Sequence, residues 1–515
     1  MRQTFLAIDD VSLPWRKNVC LYLEKPTVRL EPVLAPSPVE SNAPDNLAAH
    51  FYGTVLHDQG VFRMWYYACH RGLNPDWSTH QQQQLAKNPG WLLGKQEGFQ
   101  VYEGPICYAE SDDGIIWRKP ELGQVLFKGN RANNALDLPH ALICGVAVLR
   151  DDEDPDPAQR YKMVYEFMPD QSDPPIAAYG CRPTMACAVS PDGIRWRMTA
   201  IPFPNQFIEQ SSFIRHQGQY IVHYQVMDSW AGWLAEGGTP CGRTGVARVT
   251  YDWDLWPDLT ATTYALPEPT DPHLRGMDGA YDQVHLGVGA ASFGNVCVGV
   301  YGLWHNAAFG ENFGHISGDL GLVVSNDGIH FREPGATPGR VFIHRNDSPA
   351  TPVPGQAFNT ILCQGNGILN VGGETRIYHG RWRNCGQHAE DIASYYRGEV
   401  ALATLPRDRW GALALHPDAG EGSFCTAQIT LPADGGTITV NAVGVASLSV
   451  DLLDEQFRPI PGMPGGTVKG SDGLECPVIW QKHVLNDLES KMVRIHITLR
   501  RNGQVDPRVY ALYVT

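Results

Sequence analysis

The segment Ser111-Asp112-Asp113-Gly114-Ile115-Ile116-Trp117 decides the fold, because the same pattern returns along the chain. Close copies stand at residues 190–196 and 325–331, and degenerate copies stand at 247–253 and 401–410. In the close copies a strand of small residues leads into an Asp-Gly tight turn, where glycine takes a positive φ, and an aromatic residue starts the next strand. Each copy therefore predicts a β-hairpin.

The spacing of the copies predicts a radial repeat. The first two copies start 79 residues apart. A β run that ends in aromatic residues precedes each of the five copies, at 62–67, 161–165, 220–224, 296–301 and 375–379. Another apolar stretch lies upstream of each run, so that one unit supplies about four strands, and five such units form a β-propeller without open sheet edges. A series of β-sandwich modules is the alternative, but the usual sandwich of ~100 residues is longer than the repeat.

The pattern changes after the fifth copy. From Ser423 onward apolar and polar residues alternate in short runs such as 447–454, and the run 509–514 closes the chain. Alternation of this kind is typical of antiparallel sheets that face a core on one side. The sequence thus predicts an all-β protein, in which residues 1–420 form a five-bladed β-propeller with an N-terminal segment and residues 421–515 form a C-terminal antiparallel β-sandwich.

Composition and charge exclude several classes of binding partner. A formal net charge of −15 argues against nucleic acid and against anionic membranes as partners. The N-terminus does not read as a signal peptide, and no stretch approaches the ~20 apolar residues that span a bilayer. The 12 cysteines are dispersed without a CxxC pair, which predicts buried free thiols, a reducing cytoplasm, and no metal or other cofactor. The acidic run 151–154 predicts a solvated hairpin tip.

A propeller places its site at one mouth of the central channel, where the innermost strands of the blades start. Counting back about eight residues from the first glycine-containing turn of each unit locates these starts. The predicted neighbourhoods are His50 and Tyr52, His140 and Gly145, Glu209, Asp282 and His285, and Gln364 and Asn366. Residues that bind or convert a substrate are expected among them.

With these positions assigned, the chain resembles the five-bladed propeller glycoside hydrolases, the superfamily of β-fructosidases, arabinanases and β-xylosidases. The resemblance covers the layout of the propeller and the trailing sandwich. Its best local match begins at Glu209, similar to the arabinanase-type strand whose general-acid glutamate precedes Gly-Pro, which Gln210 and Ser211 replace here. The aspartates that open the first two inner strands in the family are replaced by the histidine or tyrosine named above and by Gly145.

Glycoside hydrolysis needs two carboxyl groups across the scissile bond, one as acid and one as base or nucleophile. The resemblance makes Glu209 the acid, and a glutamate that hydrogen-bonds a loop is the structural alternative. Asp282 is the preferred partner, because Asp282 and His285 share the predicted start of the fourth inner strand, although a turn-forming aspartate fits equally. Asp137, which follows two asparagines, is the second option, in a cluster that more often caps loops.

Hydrogen-bonding and aromatic side chains near the mouth suit a carbohydrate, which offers hydroxyls and apolar ring faces. The predicted substrate-binding residues are His50, His285, Trp304, His305, Gln364 and Arg381. A single histidine is more often a core residue, yet His50 and His285 with a carboxylate would also suit a metal. Trp65 is expected in the core. The insertion 72–104 is typical of a lid or of an oligomer contact, and a homo-oligomer is compatible with it.

The sequence thus favours a glycoside hydrolase, or a related glycosyl-transferring enzyme, acting on a small oligosaccharide by carboxylate acid/base catalysis. A non-catalytic carbohydrate-binding propeller is the second hypothesis, since the expected aspartates are missing. A metal-dependent propeller enzyme that uses clustered histidines is the third. The three differ in whether two carboxylates, a histidine cluster or neither lies in the mouth.

Overall fold

The computed structural model describes residues 2–78, 82, 93–96, 99–140, 143–167, 184–199, 208–226, 244–256, 262–263, 283–305, 316–335, 341–355, 358–384, 396–433, 435–461, 463, 465–480, 485, 488, 491–503 and 505–515. Apart from single helical residues at 82 and 488, the elements within these ranges are β-strands and two 3-10 turns, Pro157–Gln159 and Val445–Ser447, so the predicted all-β class is confirmed. The same ranges contain no helix long and apolar enough to cross a membrane.

The strands follow the predicted repeat. Four short strands come first: β1 (Gln3–Leu6), β2 (Trp15–Lys17), β3 (Val19–Leu23) and β4 (Thr27–Val28). The first two repeat units contain β5 (Ala48–Asp58), β6 (Val61–Arg71), β7 (Leu93–Gln96), β8 (Phe99–Ser111), β9 (Ile143–Arg150), β10 (Tyr161–Phe167), β11 (Thr184–Ser190) and β12 (Arg197–Thr199). The third and fourth contain β13 (Ile208–His216), β14 (Gln219–Val226), β15 (Thr244–Thr250), β16 (Thr262–Thr263), β17 (Gln283–Ser292), β18 (Cys297–His305), β19 (Ser317–Ser325) and β20 (Val341–Ile343).

The fifth unit and the C-terminal part complete the chain. The fifth unit contains β21 (Asn359–Cys363), β22 (Ile368–Val371), β23 (Glu374–Asn384) and β24 (Arg397–Pro406). The C-terminal part contains β25 (Gly411–Leu415), β26 (Glu421–Cys425), β27 (Ile429–Thr430), β28 (Ile438–Val443), β29 (Leu448–Leu453), β30 (Gly466–Val468), β31 (Gly473–Ile479), β32 (Met492–Arg500) and β33 (Arg508–Val514). The first four units thus contribute four described strands each. The fifth contributes β23, β24 and one inner strand that is divided into β21 and β22, and β4 of the N-terminal segment pairs at its outside.

The first strands of the five units close a ring. Within a unit, successive strands pair antiparallel, for example β9 with β10 and β10 with β11. The first strands touch in series: β5 contacts β9, β9 contacts β13, β13 contacts β17, β17 contacts β22, and β22 returns to β5. Single parallel bridges from Gly318 to Ile361 and from Gly398 to Ala48 join the fourth unit to the fifth and the fifth to the first. The arrangement is propeller-like.

The repeated segment folds as predicted. Gly114, Gly193 and Gly328 have φ values of 73°, 76° and 74°. In the first copy the Ser111 hydroxyl accepts a hydrogen bond from the Gly114 amide at 2.8 Å, and the Asp113 carboxylate accepts bonds from the next two amides, both at 2.8 Å. The same bonds recur in the other two close copies. Because these bonds are local, the segment specifies its own turn.

Each close copy is also bonded to the unit before it. The glycine carbonyl oxygen of the turn accepts a hydrogen bond from an aromatic side chain. The three pairs are Trp65 Nε1 to Gly193 (2.8 Å), Tyr378 hydroxyl to Gly114 (2.8 Å) and His223 Nε2 to Gly328 (2.7 Å). Each donor is the fifth residue of the second long strand of its unit, β6, β23 or β14. We call these three hydrogen bonds the turn latches.

The two remaining units lack this bond for a reason visible in the sequence. Tyr165 and Tyr301 are the fifth residues of β10 and β18, but their hydroxyls bond His140 and Glu333 within their own units, at 2.7 Å and 2.6 Å. The units that follow carry the degenerate copies of the segment, in which the Asp-Gly turn is missing. A turn latch therefore forms where the Asp-Gly turn exists to receive it.

Buried ion pairs form a second kind of contact between units, and one of them overturns the predicted solvated tip at Asp151, whereas Asp152 and Glu153 are exposed as predicted. Asp151 is buried, and its carboxylate binds Arg215 and the Tyr220 hydroxyl of the third unit. Asp58 makes the same contacts one unit earlier, with Arg150 and Tyr161. The prediction was wrong for Asp151 because the end of an inner strand faces the next unit rather than water.

Outside the sheets of the repeat units, one sheet of 12 strands contains strands from both ends of the chain, and we call it the second sheet. β1 pairs with β33, β3 with β25, and β2 with β26, whereas β4 pairs with β24 at the outside of the fifth unit. Strands of the N-terminal segment, predicted to belong with residues 1–420, thus enter the sheet of the C-terminal residues. The division into domains at residue 420 stays a prediction.

The repeat units and the second sheet share a core. Leu6, Trp410 and Tyr513 pack in one cluster with Val298 and Leu320 of the fourth unit. The Tyr513 hydroxyl donates to the buried Asp408 carboxylate at 2.7 Å. Nine described cysteines are free and seven of them are buried, so the predicted buried thiols are confirmed, and Trp65 is fully buried as expected.

The turn latches predict unequal effects of two glycine substitutions. Gly193 and Gly218 both have positive φ, but a Cβ on Gly193 would lie 2.9 Å from Trp65 Cζ2, whereas a Cβ on Gly218 meets nothing within 4 Å. We expect Gly218→Ala to lower the free energy of unfolding by about 1 kcal/mol and Gly193→Ala by about 1 to 3 kcal/mol more. Urea unfolding followed by circular dichroism measures the difference, and equal losses would contradict the docking of the turn on Trp65.

Candidate functional site

The inner strands begin close to the predicted positions in four of the five units. β5 begins at Ala48, β9 at Ile143, β13 at Ile208 and β17 at Gln283, within a few residues of His50, Gly145, Glu209 and His285. The fifth unit differs, because its inner strand begins at Asn359 and is broken at residues 364–367. Gln364 and Asn366 therefore lie within the strand rather than at its start, and their predicted position was wrong.

At the break in the fifth inner strand, backbone atoms of several units fill the centre of the ring. A Cβ on Gly289 would lie 2.5 Å from the Gly365 oxygen, and a Cβ on Gly365 would lie 2.6 Å from the Gly53 oxygen, so three inner strands meet through glycines. Asn366 bonds the Gly53 oxygen through its amide at 2.9 Å, and its side chain bonds the oxygen and amide of Phe213 at 2.7 Å and 3.2 Å. Backbone atoms thus fill the axis of the ring at the depth of Asn366. A substrate site would therefore lie nearer the starts of the inner strands.

An aromatic wall lies at the strand starts of the first and fifth units. The His50 and Tyr67 rings stack at 4.9 Å between centroids, with 14° between their planes, and Tyr52 stacks parallel to Tyr67 at 6.3 Å. His50 Nε2 also bonds the Tyr396 hydroxyl at 2.6 Å. Burial lowers the pKa of His50 to about 3, so the imidazole is neutral at physiological pH.

Two glutamates converge on Cys144 beside this wall. The Cys144 thiol donates to Glu103 Oε2 at 3.1 Å. Burial raises the pKa of that thiol well above its ordinary value, and the charges of Glu103 and then Glu166 raise it further. Glu103 also raises the pKa of Tyr67, second to burial. Glu103 thus contacts the Cys144 thiol at the start of β9, Glu166 acts on the thiol by its charge, and the thiol stays protonated there.

The glutamates come from strands that lie outside the innermost position. Glu103 is on β8 and pairs with Cys69 of β6, whereas Glu166 is on β10 and pairs with Gly145 of β9. Glu166 is only 3% exposed, and Glu103 is partly exposed. Sequence reasoning missed both, because it searched the innermost strands. The available signals were a charge in the otherwise apolar run of β10, and a Glu-Gly-Pro tripeptide at 103–105, on a different strand from the one where the resemblance places it.

The structure describes the three predicted catalytic residues to different extents. Glu209 is the second residue of β13 and pairs with the buried Gln225 of β14, so its backbone lies at a strand start, while its side chain is outside the described part. Asp282 lies outside the described residues, directly before β17. Asp137 is exposed in a loop, where its amide bonds the Gln124 side chain at 3.1 Å. Their roles stay predictions.

The predicted substrate-binding residues of the fourth unit occupy three settings. The backbone of His285 belongs to β17, and its side chain is not described. Trp304 is buried in a cluster with Tyr67 and Ile361, which is a core position. His305 Nε2 lies 2.7 Å from an oxygen of the buried Asp319. Burial would raise the pKa of Asp319, but hydrogen bonds from His305 and the Arg345 amide outweigh it and hold that pKa below its ordinary value.

Gln364 and Arg381 have protein partners in the fifth unit. Gln364 Nε2 donates to the Gly287 oxygen at 3.0 Å. Arg381 is buried, and its guanidinium donates to the Ser348 hydroxyl at 2.7 Å and to the carbonyls of residues 29 and 30. Burial lowers the pKa of Arg381, with the nearby Glu399 acting against it. These contacts hold the N-terminal segment and the ring together, and contact with a substrate stays a prediction.

Metal binding finds no support in the described ranges. They contain no group of three or more His, Cys, Asp or Glu side chains arranged to hold an ion. His50 is committed to Tyr396 and to aromatic stacking, and its partner in the metal hypothesis, His285, has no described side chain.

Comparison with known sequences gives distant relatives of unknown activity. No protein-family model matches the chain. Two uncharacterized proteins of Mycobacterium tuberculosis are each 24% identical to the chain over 228 residues, which are 42% of this chain. The match spans 58% of the length of these curated relatives.

Comparison with solved structures gives glycoside-active enzymes. A glycoside hydrolase family 43 arabinoxylan arabinofuranohydrolase from Bacillus subtilis is 10% identical, with a TM-score of 0.37 over 94% of this chain and 99% of that one. A glycosyl hydrolase from Bacteroides ovatus is 13% identical, with a TM-score of 0.39 over 76% and 95%. A β-1,2-mannobiose phosphorylase from Listeria innocua is 11% identical, with a TM-score of 0.38 over 75% and 96%. The fold described above stands on its own strand pairing.

The pKa of His50 predicts a pH-dependent stability. The unfolded chain binds a proton at His50 below pH ~6.5, whereas the folded chain does not until the pH nears 3, so the contribution of His50 is full above pH 6.5 and falls with acidification. We expect the unfolding free energy of the wild type to fall more steeply than that of His50→Gln between pH 6.5 and pH 4, by about 1.4 kcal/mol per pH unit. Urea unfolding at each pH measures this slope. The difference at pH 8, where the imidazole is neutral in both states, isolates the packing loss, and an equal slope would contradict a neutral His50.

Proposed function

We propose that the chain cleaves or transfers glycosidic bonds in short oligosaccharides at the mouth formed by the strand starts. The observation that carries this proposal is a pair of glutamates beside Cys144. Glu103 accepts the hydrogen bond of the thiol, and Glu166 lies opposite Gly145, the next residue of β9. Glycosidic cleavage needs one carboxyl group to protonate the leaving oxygen and a second to activate water or attack the anomeric carbon. Two glutamates beside one strand start can fill these two roles, whereas a binding module needs neither.

A five-bladed propeller followed by a β-sandwich is the architecture we infer for this activity. Five inner strands that touch in series, each opening a four-stranded unit, support the count of blades. A 12-stranded sheet that folds around its own apolar cluster supports the sandwich. In a propeller closed at the level of Asn366, the strand starts form a cup that takes a short ligand.

Glu209 remains the third carboxyl group of the proposed site. Its backbone lies at the start of the third inner strand, next in the ring to β9, which carries Cys144. Glu103 and Glu166 take the places that the missing aspartates of the first two inner strands leave open, from neighbouring strands of the same units. Asp282, at the fourth strand start, is the further candidate for the base.

The aromatic wall supplies the matching half of a sugar site. Tyr52, Tyr67 and His50 form a parallel stack beside the glutamates, in which Tyr52 is the most exposed ring, at 7%. Sugars expose flat apolar faces together with hydroxyls, and an aromatic ring beside polar groups binds both.

Conservative substitutions of the glutamates test the proposal. A panel of aryl glycosides and short oligosaccharides, including β-1,2-mannobiose and arabino-oligosaccharides, is assayed with and without inorganic phosphate to separate hydrolysis from phosphorolysis. We expect Glu103→Gln and Glu166→Gln each to lower kcat by about a hundredfold or more on every responsive sugar, because the amide neither donates nor accepts the proton. Glu209→Gln distinguishes a third catalytic group from a residue that fixes a loop.

Glu110→Gln is the matched control, since Glu110 lies on the same strand β8 but at the opposite end, paired with Arg118 at 3.6 Å. Thermal unfolding of each variant confirms that the fold is retained. Full activity in both Glu103→Gln and Glu166→Gln would overturn the assignment. Binding of sugars without turnover in the wild type would favour the carbohydrate-binding propeller, and loss of activity with a chelator would favour the metal-dependent enzyme.

A further inference from the structure

A groove on the second sheet is separate from the mouth and has no part in the proposed function. Its volume is about 550 Å³, within the range of ~300–1,000 Å³ that small-ligand sites occupy. It runs over the strands β2, β26, β32 and β29 and under the loop that follows β29. The residues that matter for binding are Trp15, Lys17, Ser423, Asp451, Phe457 and His496.

Strand register explains how this groove is built. Trp15 pairs with Cys425, Cys425 with His496, and His496 with Asp451, so one row of side chains crosses four strands. Successive side chains of a strand point to opposite faces. The neighbours of this row, such as Phe424 and Ile497, lie in the core of the sheet, so the row itself faces outward.

Two large aromatic side chains at the rim of the groove are exposed to solvent. Trp15 is 52% exposed and Phe457 is 41% exposed, and their rings meet edge to face at 5.1 Å. Phe457 has a φ of 63°, which a bulky residue rarely adopts, and the Arg494 guanidinium lies 4.2 Å from its ring. Aromatic rings exposed together in a concave site mark a binding surface more often than a chance feature.

Polar groups of both signs lie on the floor beside these rings. Asp451 Oδ2 is 3.7 Å from His496 Nδ1, and both side chains are partly exposed. The Ser423 hydroxyl and the Lys17 ammonium line the same groove. An apolar ligand would bury the Asp451–His496 pair without hydrogen bonds, and a small anion would meet the carboxylate. A ligand with an apolar face and many hydroxyls satisfies both halves of the site.

We propose that this groove binds an oligosaccharide segment, with one sugar ring stacked on Trp15 and its hydroxyls bonded by Asp451 and His496. The segment is one stretch of a longer glycan, because the groove is open along the sheet edge at β2. This site holds a glycan and does not cleave it. It does not depend on the activity proposed for the mouth, since the two sites share no residue.

Affinity electrophoresis tests the proposal with two soluble polysaccharides as probes, arabinoxylan and yeast mannan. We expect the wild-type chain to be retarded in at least one of these gels. Trp15→Ala and Asp451→Asn should each lower the association constant at least tenfold. Tyr251→Ala is the matched control, because Tyr251 is 73% exposed on a turn of the third unit and should leave retardation unchanged.

Two readouts keep this result distinct from that of the mouth. Trp15→Ala should keep the wild-type thermal midpoint, since the ring is half exposed, and should keep the wild-type rate on any small substrate that the chain turns over. Asp451→Asn preserves shape, so that a loss of binding in both variants supports the groove. Wild-type retardation in both variants, or no retardation of the wild type by either probe, overturns the proposal.

Discussion

The hydrogen bond from an aromatic side chain to a glycine carbonyl of the next unit is the constraint on which the ring depends. A tight turn with positive φ leaves its carbonyl pointing away from the hairpin, and a buried carbonyl needs a donor. Trp65, His223 and Tyr378 supply such a donor from three different side-chain types at one structural position. At Gly114 and Gly193 the tryptophan of the repeated segment donates to the same carbonyl as well, at 3.1 Å in both turns. What recurs is thus the geometry of the contact and not the identity of the residue.

Glycine satisfies two independent requirements at these turns. It adopts the positive φ without strain, and it leaves room for the neighbouring unit, because a Cβ on Gly114 would lie 2.5 Å from the Tyr378 hydroxyl and one on Gly328 would lie 2.8 Å from Ile221 Cδ1. The same residue therefore makes the turn and receives the latch. This coupling explains why the degenerate copies, which lack the Asp-Gly turn, also lack the latch, and why Tyr165 and Tyr301 turn to partners in their own units.

The latches lie toward the outside of the units, and the inner strands are held by different means. At the axis Gly53, Gly289 and Gly365 bring backbone against backbone, and Asn366 bonds two other units from the fifth. Asp58 and Asp151 add buried ion pairs at the far ends of the inner strands. Because the axis and these far ends are taken up by structural contacts, the strand starts are left for chemistry.

The sequence could predict what is local and not what is assembled between units. The turn of residues 111–117 is held by bonds within the segment itself, so its pattern was sufficient to predict it. The inner strand of the fifth unit was misplaced because its break at 364–367 is set by glycines of other units. Glu103 was missed for the same reason, since β8 brings it to Cys144 of the next unit. Glu166 pairs with Gly145 inside its own unit and was missed because the search covered only the innermost strands. Asp151 reads as a surface charge until Arg215 and Tyr220 of the next unit are placed beside it.

The shared core gives the second sheet a fixed position relative to the ring, and this bears on how two weak sites act together. Leu6, Trp410 and Tyr513 pack against the fourth unit, and the bond from Tyr513 to Asp408 is buried in that interface. A glycan held in the groove near Trp15 would remain close to the chain while its free ends explore the mouth. Tethering of this kind raises the effective concentration of substrate without any new contact in the mouth. If both proposed sites act, the groove would contribute through proximity alone, and its loss would affect polymers and leave small substrates unaffected.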